Sequence, residues 1–378
     1  MSTGPLSGVK VVELAGIGPG PMICMLLADM GAEVVRIGRS GKADPAERFD
    51  TPLRHRRRVS LDLKQEQDKA TALDLIALAD ILVEGYRPGV TERLGLGPTA
   101  CHERNPGLVY VRMTGWGQDG PLAHVAGHDL NYLSLTGALH AFGGRGLPPK
   151  APINLMADYA GGALYAAMGA IAALFEARQS GLGQVVDAAM VDGVASLMAK
   201  QYGWLSGGLR EPVGGVNLLD GGAYFYDVYQ CADGLWLSVG CIEPQFYAEL
   251  LRLLGFERDA LPAQDDSKSW DEARAVLAAR FRTRTRDEWA SLLASSDACV
   301  APVLTMLEAP DHPHMQARGT FVRLGDVVQP APAPRFSRTP SRAPALPDAQ
   351  EEDGQSIVSQ WCARNAAAEP QSPELQSL

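Results

Sequence analysis

The sequence predicts an α/β protein: a large Rossmann-like parallel-sheet domain plus a smaller α+β domain. Three observations lead there. Short β-branched runs alternate with helical stretches over roughly the first 115 residues, the signature of βαβ units. Near residue 224 the pattern changes to two strand runs around a tight turn, followed by helices. At 378 residues the chain is also long for a single domain.

Val9 to Leu14 reads as a buried strand, followed by the loop Ala15-Gly16-Ile17-Gly18-Pro19-Gly20-Pro21. Met22 to Met30 reads as a helix with Gly31 at its C-terminal cap, and Glu33 to Ile37 as the second strand. Strands at Val59–Leu63, Asp80–Glu84 and Leu108–Met113 continue the alternation, with a helix at Lys69–Ala79. Asp158 to Arg178 reads as a long helix with Asp158 as N-cap and Ser180-Gly181 at its end, and Gln184–Asp187 as one more strand. Gly207 to Gly222 is Gly-rich and reads as a crossing segment. Strands at Tyr226–Gln230 and Leu235–Val239 flank Ala232-Asp233-Gly234, and helices follow at 243–254, 271–280 and 285–295. Six prolines between Gln329 and Pro347 demand an extended strap. The domains expected are therefore 1–190, completed by 330–365, and 223–317. Linkers at 191–222 and 318–347 join them, and 366–378 forms a flexible tail.

The net charge of −10 argues against a nucleic-acid binder held by bulk electrostatics. The first ten residues carry no secretory pattern, and Asp29, Glu33 and Arg36 interrupt the longest early apolar stretch, so no membrane span is expected. Cysteines at 24, 101, 231, 241, 299 and 362 include no C-x-x-C pair, which reads as reduced thiols and no zinc site. The terminal Gln376-Ser377-Leu378 lacks the basic middle residue of a peroxisomal signal, so a cytoplasmic location is expected.

The first loop places backbone N–H groups at a helix start, which suits an anion as well as it suits a simple tight turn. It is not G-x-G-x-x-G, and the second strand ends Arg36-Ile37-Gly38-Arg39 with no acid for a ribose diol, so a nicotinamide site is disfavoured. Arg39, the run Arg54-His55-Arg56-Arg57-Arg58, Lys64, Arg87 and Arg93 cluster at expected strand ends and point to a phosphorylated ligand. His312-Pro313-His314 has no third ligand nearby, and metal is not expected. His128 stands in a loop entering a helix, where a lone His is ordinarily a surface or satisfied core group. Asp158, followed by Tyr159-Ala160-Gly161-Gly162, is equally a cap with close helix packing or a ligand-facing group beside N–H donors for an oxyanion.

The blocks PLSGVKVVELAGIGPGP, EGYRPGVTERLGLGP, RMTGWGQDGP, AGHDLNYLSLTGAL, ADYAGGALY, GQVVDAAMVDG, LLDGGAYFYDVYQCADG, IEPQFY and SDACVAPVL carry a resemblance over residues 5–345. The chain resembles the alpha-methylacyl-CoA racemases within the class III CoA-transferase superfamily. That resemblance implies cofactor-independent racemisation of 2-methylacyl-CoA thioesters by 1,1-proton transfer, without metal. It implies a homodimer of interlocked rings; the charge and the apolar pattern already argue for no nucleic acid and no membrane as partners. His128 and Asp158 take the place of the catalytic pair, and Glu243 that of a carboxylate meeting the catalytic His across the dimer. The CoA-binding positions fall on Ile17, Arg39, Leu61, Asp62, Leu63, Lys64, Gly85, Tyr86, Arg87 and Arg93. The residues around the pair are expected at the substrate: Gly127, Asp129, Leu130, Asn131, Tyr132, Ala157, Tyr159, Ala160, Gly161 and Gly162. Ala157 and Ala160 replace glycines common in the family, each adding a methyl.

A racemase removes a proton from one face of a carbon and returns one to the other, most simply with two groups. Imidazole exchanges protons near neutrality, whereas an Asp must have its pKa raised to act as an acid there. The N–H groups opening the 158–178 helix are candidates for the enolate oxygen. Competing readings are a CoA-transferase with Asp158 as nucleophile, an acyl-CoA sensor, and an NADP enzyme using Arg39.

Overall fold

The protein is described by a computed structural model covering residues 4–39, 41, 45–257 and 260–368. The chain divides into two compact units, residues 1–133, 153–197 and 317–378 in the first and 134–152 and 198–316 in the second. The expected linkers are therefore apportioned differently. Residues 191–197 stay with the first unit and 198–222 with the second, while 318–347 packs into the first. Residues 134–152 join the second unit although they precede the long helix in sequence.

In the first unit six strands form one parallel sheet in the order β3-β2-β1-β4-β5-β6. They are β1 (Lys10–Leu14), β2 (Glu33–Gly38), β3 (Arg56–Ser60), β4 (Ile81–Glu84), β5 (Val109–Thr114) and β6 (Val185–Ala189). β1, β4 and β5 are almost wholly buried, as a sheet covered on both faces requires, which is why they are rich in Val, Ile and Leu and do not alternate apolar with polar residues. Strand order reverses between β1 and β4, which opens a crevice beyond their carboxyl ends.

β3 lies three residues earlier than the sequence suggested, because the arginine run is part of it. Its guanidinium groups are tied down one by one. Arg54, 2% exposed, donates to Asp29 at 2.9 Å and to Gln329 at 2.8 Å. Arg56 donates to Glu13 (2.8 Å), which is buried on β1 and also meets Arg36. Arg57 bridges Glu33 and Glu352, and Arg58 holds Glu47. The run is a structural hub and not a phosphate cradle. The C-terminal segment completes this unit. Glu352 N–H donates to the Arg58 carbonyl at 2.8 Å, and Ile357 and Trp361 of the helix Gly354–Ala368 are buried beside β1 to β3. No helix is expected there from the sequence. The proline-rich stretch is irregular from Ala331 onward, as expected, after a hairpin at Phe321–Leu324 and Val327–Pro330. Residues 369–378 lie outside the described residues.

Among the described residues one helical stretch, Ile153–Ser180, is long and apolar enough to span a membrane by length and composition, although half of its apolar window is buried within the protein. This segment, and not the early stretch weighed in the sequence, is the one that meets that test. Residues 165–180 pack against β5 and β6 as a sheet-covering helix.

The second unit has a three-stranded antiparallel sheet, β7 (Tyr226–Gln230), β8 (Trp236–Gly240) and β9 (Val300–Pro302), in that order. Helices Pro244–Leu254, Trp270–Phe281 and Arg286–Leu293 cover it around Tyr224, Leu237, Phe281 and Trp289. The last helix opens with a capping box of Thr285 and Glu288.

Candidate active site

A cavity of about 370 Å³ opens at the carboxyl ends of β1, β4 and β5, where the strand order reverses. Three loops build its rim: Gly16 to Gly20 after β1, Gly85 to Pro88 after β4, and Gly115 to Trp116 after β5. His128 and Asp158 both line it.

The first loop closes tightly because Gly18 takes φ 68°, which favours glycine, and Pro19 then opens helix α1 (Pro19–Asp29). A Cβ on Gly18 would stand 3.4 Å from the Asp158 carboxylate, so loop and acid are in contact range. Ile17 projects from the loop, 86% exposed. Tyr86 Oη donates to the Ala15 carbonyl at 3.4 Å, linking the first two loops. Behind them Glu84, 1% exposed, accepts from Tyr86 N–H (2.7 Å) and Arg112 (3.0 Å). Burial nevertheless pushes its pKa up.

His128 precedes the helix Asp129–Leu135 and is solvent-accessible in the cavity. Its N–H donates to Asn131 Oδ1 (3.0 Å), and Asn131 N–H returns a bond to its carbonyl (2.8 Å). Asn131 thus serves the backbone rather than the cavity. Tyr132 packs edge-on to Trp116, with ring centroids 4.7 Å apart, and its hydroxyl donates to the Gly127 carbonyl. Only glycine at 115 leaves space for that ring, since a Cβ would fall 2.0 Å from Tyr132 Cζ.

Asp158 is not the N-cap of an α-helix. The helix starts at Met156 with a π-helical stretch, Met156–Leu164, and continues as the α-helix Tyr165–Ser180. The capping comes from elsewhere: Asp129 Oδ2 accepts the N–H groups of Ala157 and Asp158, both at 2.8 Å. Those two donors are therefore not open to an enolate oxygen. Gly161 and Gly162 serve helix packing. A Cβ on Gly193 would lie 1.8 Å from the Gly161 carbonyl oxygen, and one on Gly161 2.6 Å from Val194. Asn154 donates to Asp158 Oδ2 at 3.2 Å. Burial raises the pKa of Asp158, and the Asp129 charge adds to that. The Asn154 bond and His128 act in the opposite sense.

Of the expected binding residues, Ile17, Gly85, Tyr86, Arg87, Gly127 and Tyr132 line the cavity beside the pair. Arg39, Leu61 to Lys64 and Arg93 do not line it. Arg39 and Leu61 follow β2 and β3 at the same edge of the sheet, and the Arg39 charge acts on Tyr86. Asp129, Leu130, Asn131, Ala157, Tyr159, Ala160, Gly161 and Gly162 are also outside the lining. Glu243 belongs to the second unit, exposed at the head of the helix Pro244–Leu254, where its carbonyl accepts from Phe246 and Tyr247 N–H at 3.0 Å. The sequence reading missed Glu84, Met113, Trp116, Ala123, Val125 and Met190 as lining residues. Part of their signal was available, since Glu84, Met113 and Met190 lie at or next to the end of a strand. Among the described residues no group of three or more His, Cys, Asp or Glu could hold a metal ion.

The chain matches the profile of CoA-transferase family III over residues 6–352. It belongs to that family. Among curated relatives it is 46% identical to the alpha-methylacyl-CoA racemase of Mus musculus, over 92% of this chain and 89% of that protein. With the Homo sapiens protein of the same description the identity is 44%, over 89% and 87%. A CAIB/BAIF family protein from Brucella suis superposes with a TM-score of 0.81 at 25% identity, covering 95% of this chain and all of that one.

Proposed function

We infer that the protein is an isomerase, a racemase interconverting (2R)- and (2S)-2-methylacyl-CoA thioesters by proton transfer through an enolate. Its racemase relatives support the reaction, and one observation of its own site carries the reading: His128 and Asp158 line a single cavity at the switch point of the sheet. In this reading the two groups address opposite faces of the carbon beside the thioester. One takes the proton as the other supplies one. A raised pKa suits Asp158 to the acid half of that exchange, because more of it stays protonated toward neutral pH.

The rest of the site holds the CoA. Arg87 in the rim and Arg39 and Arg93 beyond it offer forked donors to phosphates, and the loop carrying Ile17 leads to the α1 N-terminus. Contacts far from the reacting carbon hold the acyl group in register. The reading includes a homodimer of interlocked chains in which Glu243 of one copy meets His128 of the other, fixing its tautomer. It places the reaction in the cytoplasm with no added cofactor.

Each enantiomer of a 2-methylacyl-CoA, incubated with the protein in deuterated water, tests this. Both should yield the mixed enantiomers with deuterium at C2. Transfer of CoA to a free acid through a thioester on Asp158, with no deuterium at C2, would replace the racemase by a transferase.

A further inference from the structure

We propose that Asp129 is a positioning residue that fixes the spacing of the two bases, by capping the helix that carries Asp158 from the segment that carries His128. The proposal rests on the racemase reading. Sequence reasoning placed Asp129 at the substrate. In the structure its carboxylate turns to backbone instead, and the side chain is 9% exposed and absent from the cavity lining.

The first N–H groups of any helix lack partners within it, and Leu155, at the N-cap position of the π-helical stretch, supplies no side-chain bond. A single oxygen, Asp129 Oδ2, takes both the Ala157 and the Asp158 N–H at 2.8 Å. Asp129 is the chain neighbour of His128, and Asp158 is itself one of the two donors. The path between the bases is thus one peptide unit and one hydrogen bond. Both ends of that path are braced. His128 is held by its exchange of bonds with Asn131, and the π-helical stretch is pressed at Gly161 against Gly193 and Val194. Ile153, at φ 49°, is strained for a β-branched residue just where the chain delivers Asn154 to the Asp158 carboxylate. Proton transfer between fixed groups tolerates little displacement, so a joint this short controls turnover more than affinity.

The test is kcat and KM for a chiral 2-methylacyl-CoA with wild type, Asp129→Ala and Asp129→Asn, each normalised to folded protein by near-UV circular dichroism. Asp129→Ala should lower kcat about 100-fold while KM stays within about threefold, because the CoA contacts are elsewhere. Asp129→Asn, whose amide oxygen can accept the same two N–H groups, should recover kcat to within about tenfold of wild type. Should Asp129→Ala not fold, Asp129→Glu replaces it, with a kcat loss of about tenfold from one added methylene. A truncated or lengthened variant with wild-type kcat, or an Asn variant no better than Ala, overturns the proposal. Wild type that fails to epimerise the substrate overturns the racemase reading, and the positioning role with it.

Discussion

Two sets of arginines in the first unit meet opposite fates. Arg54, Arg56, Arg57 and Arg58 lie in or just before β3, and each faces carboxylates: Asp29, Glu13, Glu33 with Glu352, and Glu47. Arg39, Arg87 and Arg93 lie beyond the carboxyl ends of the strands, exposed, and make no ion pair with any described residue. The residue type is the same, and in sequence the first set is the denser. What separates them is the acid opposite, often hundreds of positions away, and the end of the strand on which they fall. A guanidinium forked onto a carboxylate has its charge balanced and at least two of its five donors taken, whereas one at the crevice without an ion pair keeps its charge and its donors for phosphate.

Substitution tests that contrast and the site it frames. The largest effect should fall on neither set: His128→Ala and Asp158→Ala should each cut racemisation by about 10²–10⁴-fold with the fold intact. Normalised rates near wild type in either variant would break the two-base assignment. Next, Arg54→Ala should lower the unfolding free energy by about 3–5 kcal/mol, because it strands the 2%-exposed Asp29 carboxylate. Urea titration measures it, and KM for the folded fraction should not move. Arg87→Ala should do the reverse, raising KM about tenfold with little change in stability or kcat, an effect that fades at high salt. If Arg54→Ala weakened CoA binding and Arg87→Ala weakened the fold, the division between the sets would be wrong.

The smallest effect concerns the acid. Burial raises the Asp158 pKa above its unfolded value, so its ionised form opposes folding. Stability from this group is therefore present at low pH and declines as pH climbs through the raised value. Asp158→Asn should raise Tm at pH 8, and the gain should shrink as pH falls toward the ordinary carboxylate range. A gain that grew on acidification would show the pKa lowered instead.

Much of this architecture can be read directly from the chain. Buried runs such as Val11-Val12 and Val34-Val35, spaced by helices and glycine loops, announce a parallel sheet, and the cavity lies where such a sheet reverses. His128 and Asp158 are singled out by the motifs that carry the family resemblance, and both line the cavity. Three features were not legible. The start of β3 is hidden because arginines are poor strand markers until their carboxylates are known. Asp158 reads as a cap because Asp129, the residue that does the capping, is 29 positions earlier and belongs to another helix. The glycines at 161 and 193 carry no sequence sign of the helix crossing they permit.

The most direct measurement is a crystal structure with a 2-methylacyl-CoA bound. His128 and Asp158 should flank opposite faces of the carbon beside the thioester, with the CoA phosphates toward Arg39, Arg87 and Arg93. Both side chains on one face of that carbon, or either beyond hydrogen-bond reach of it, would contradict the account.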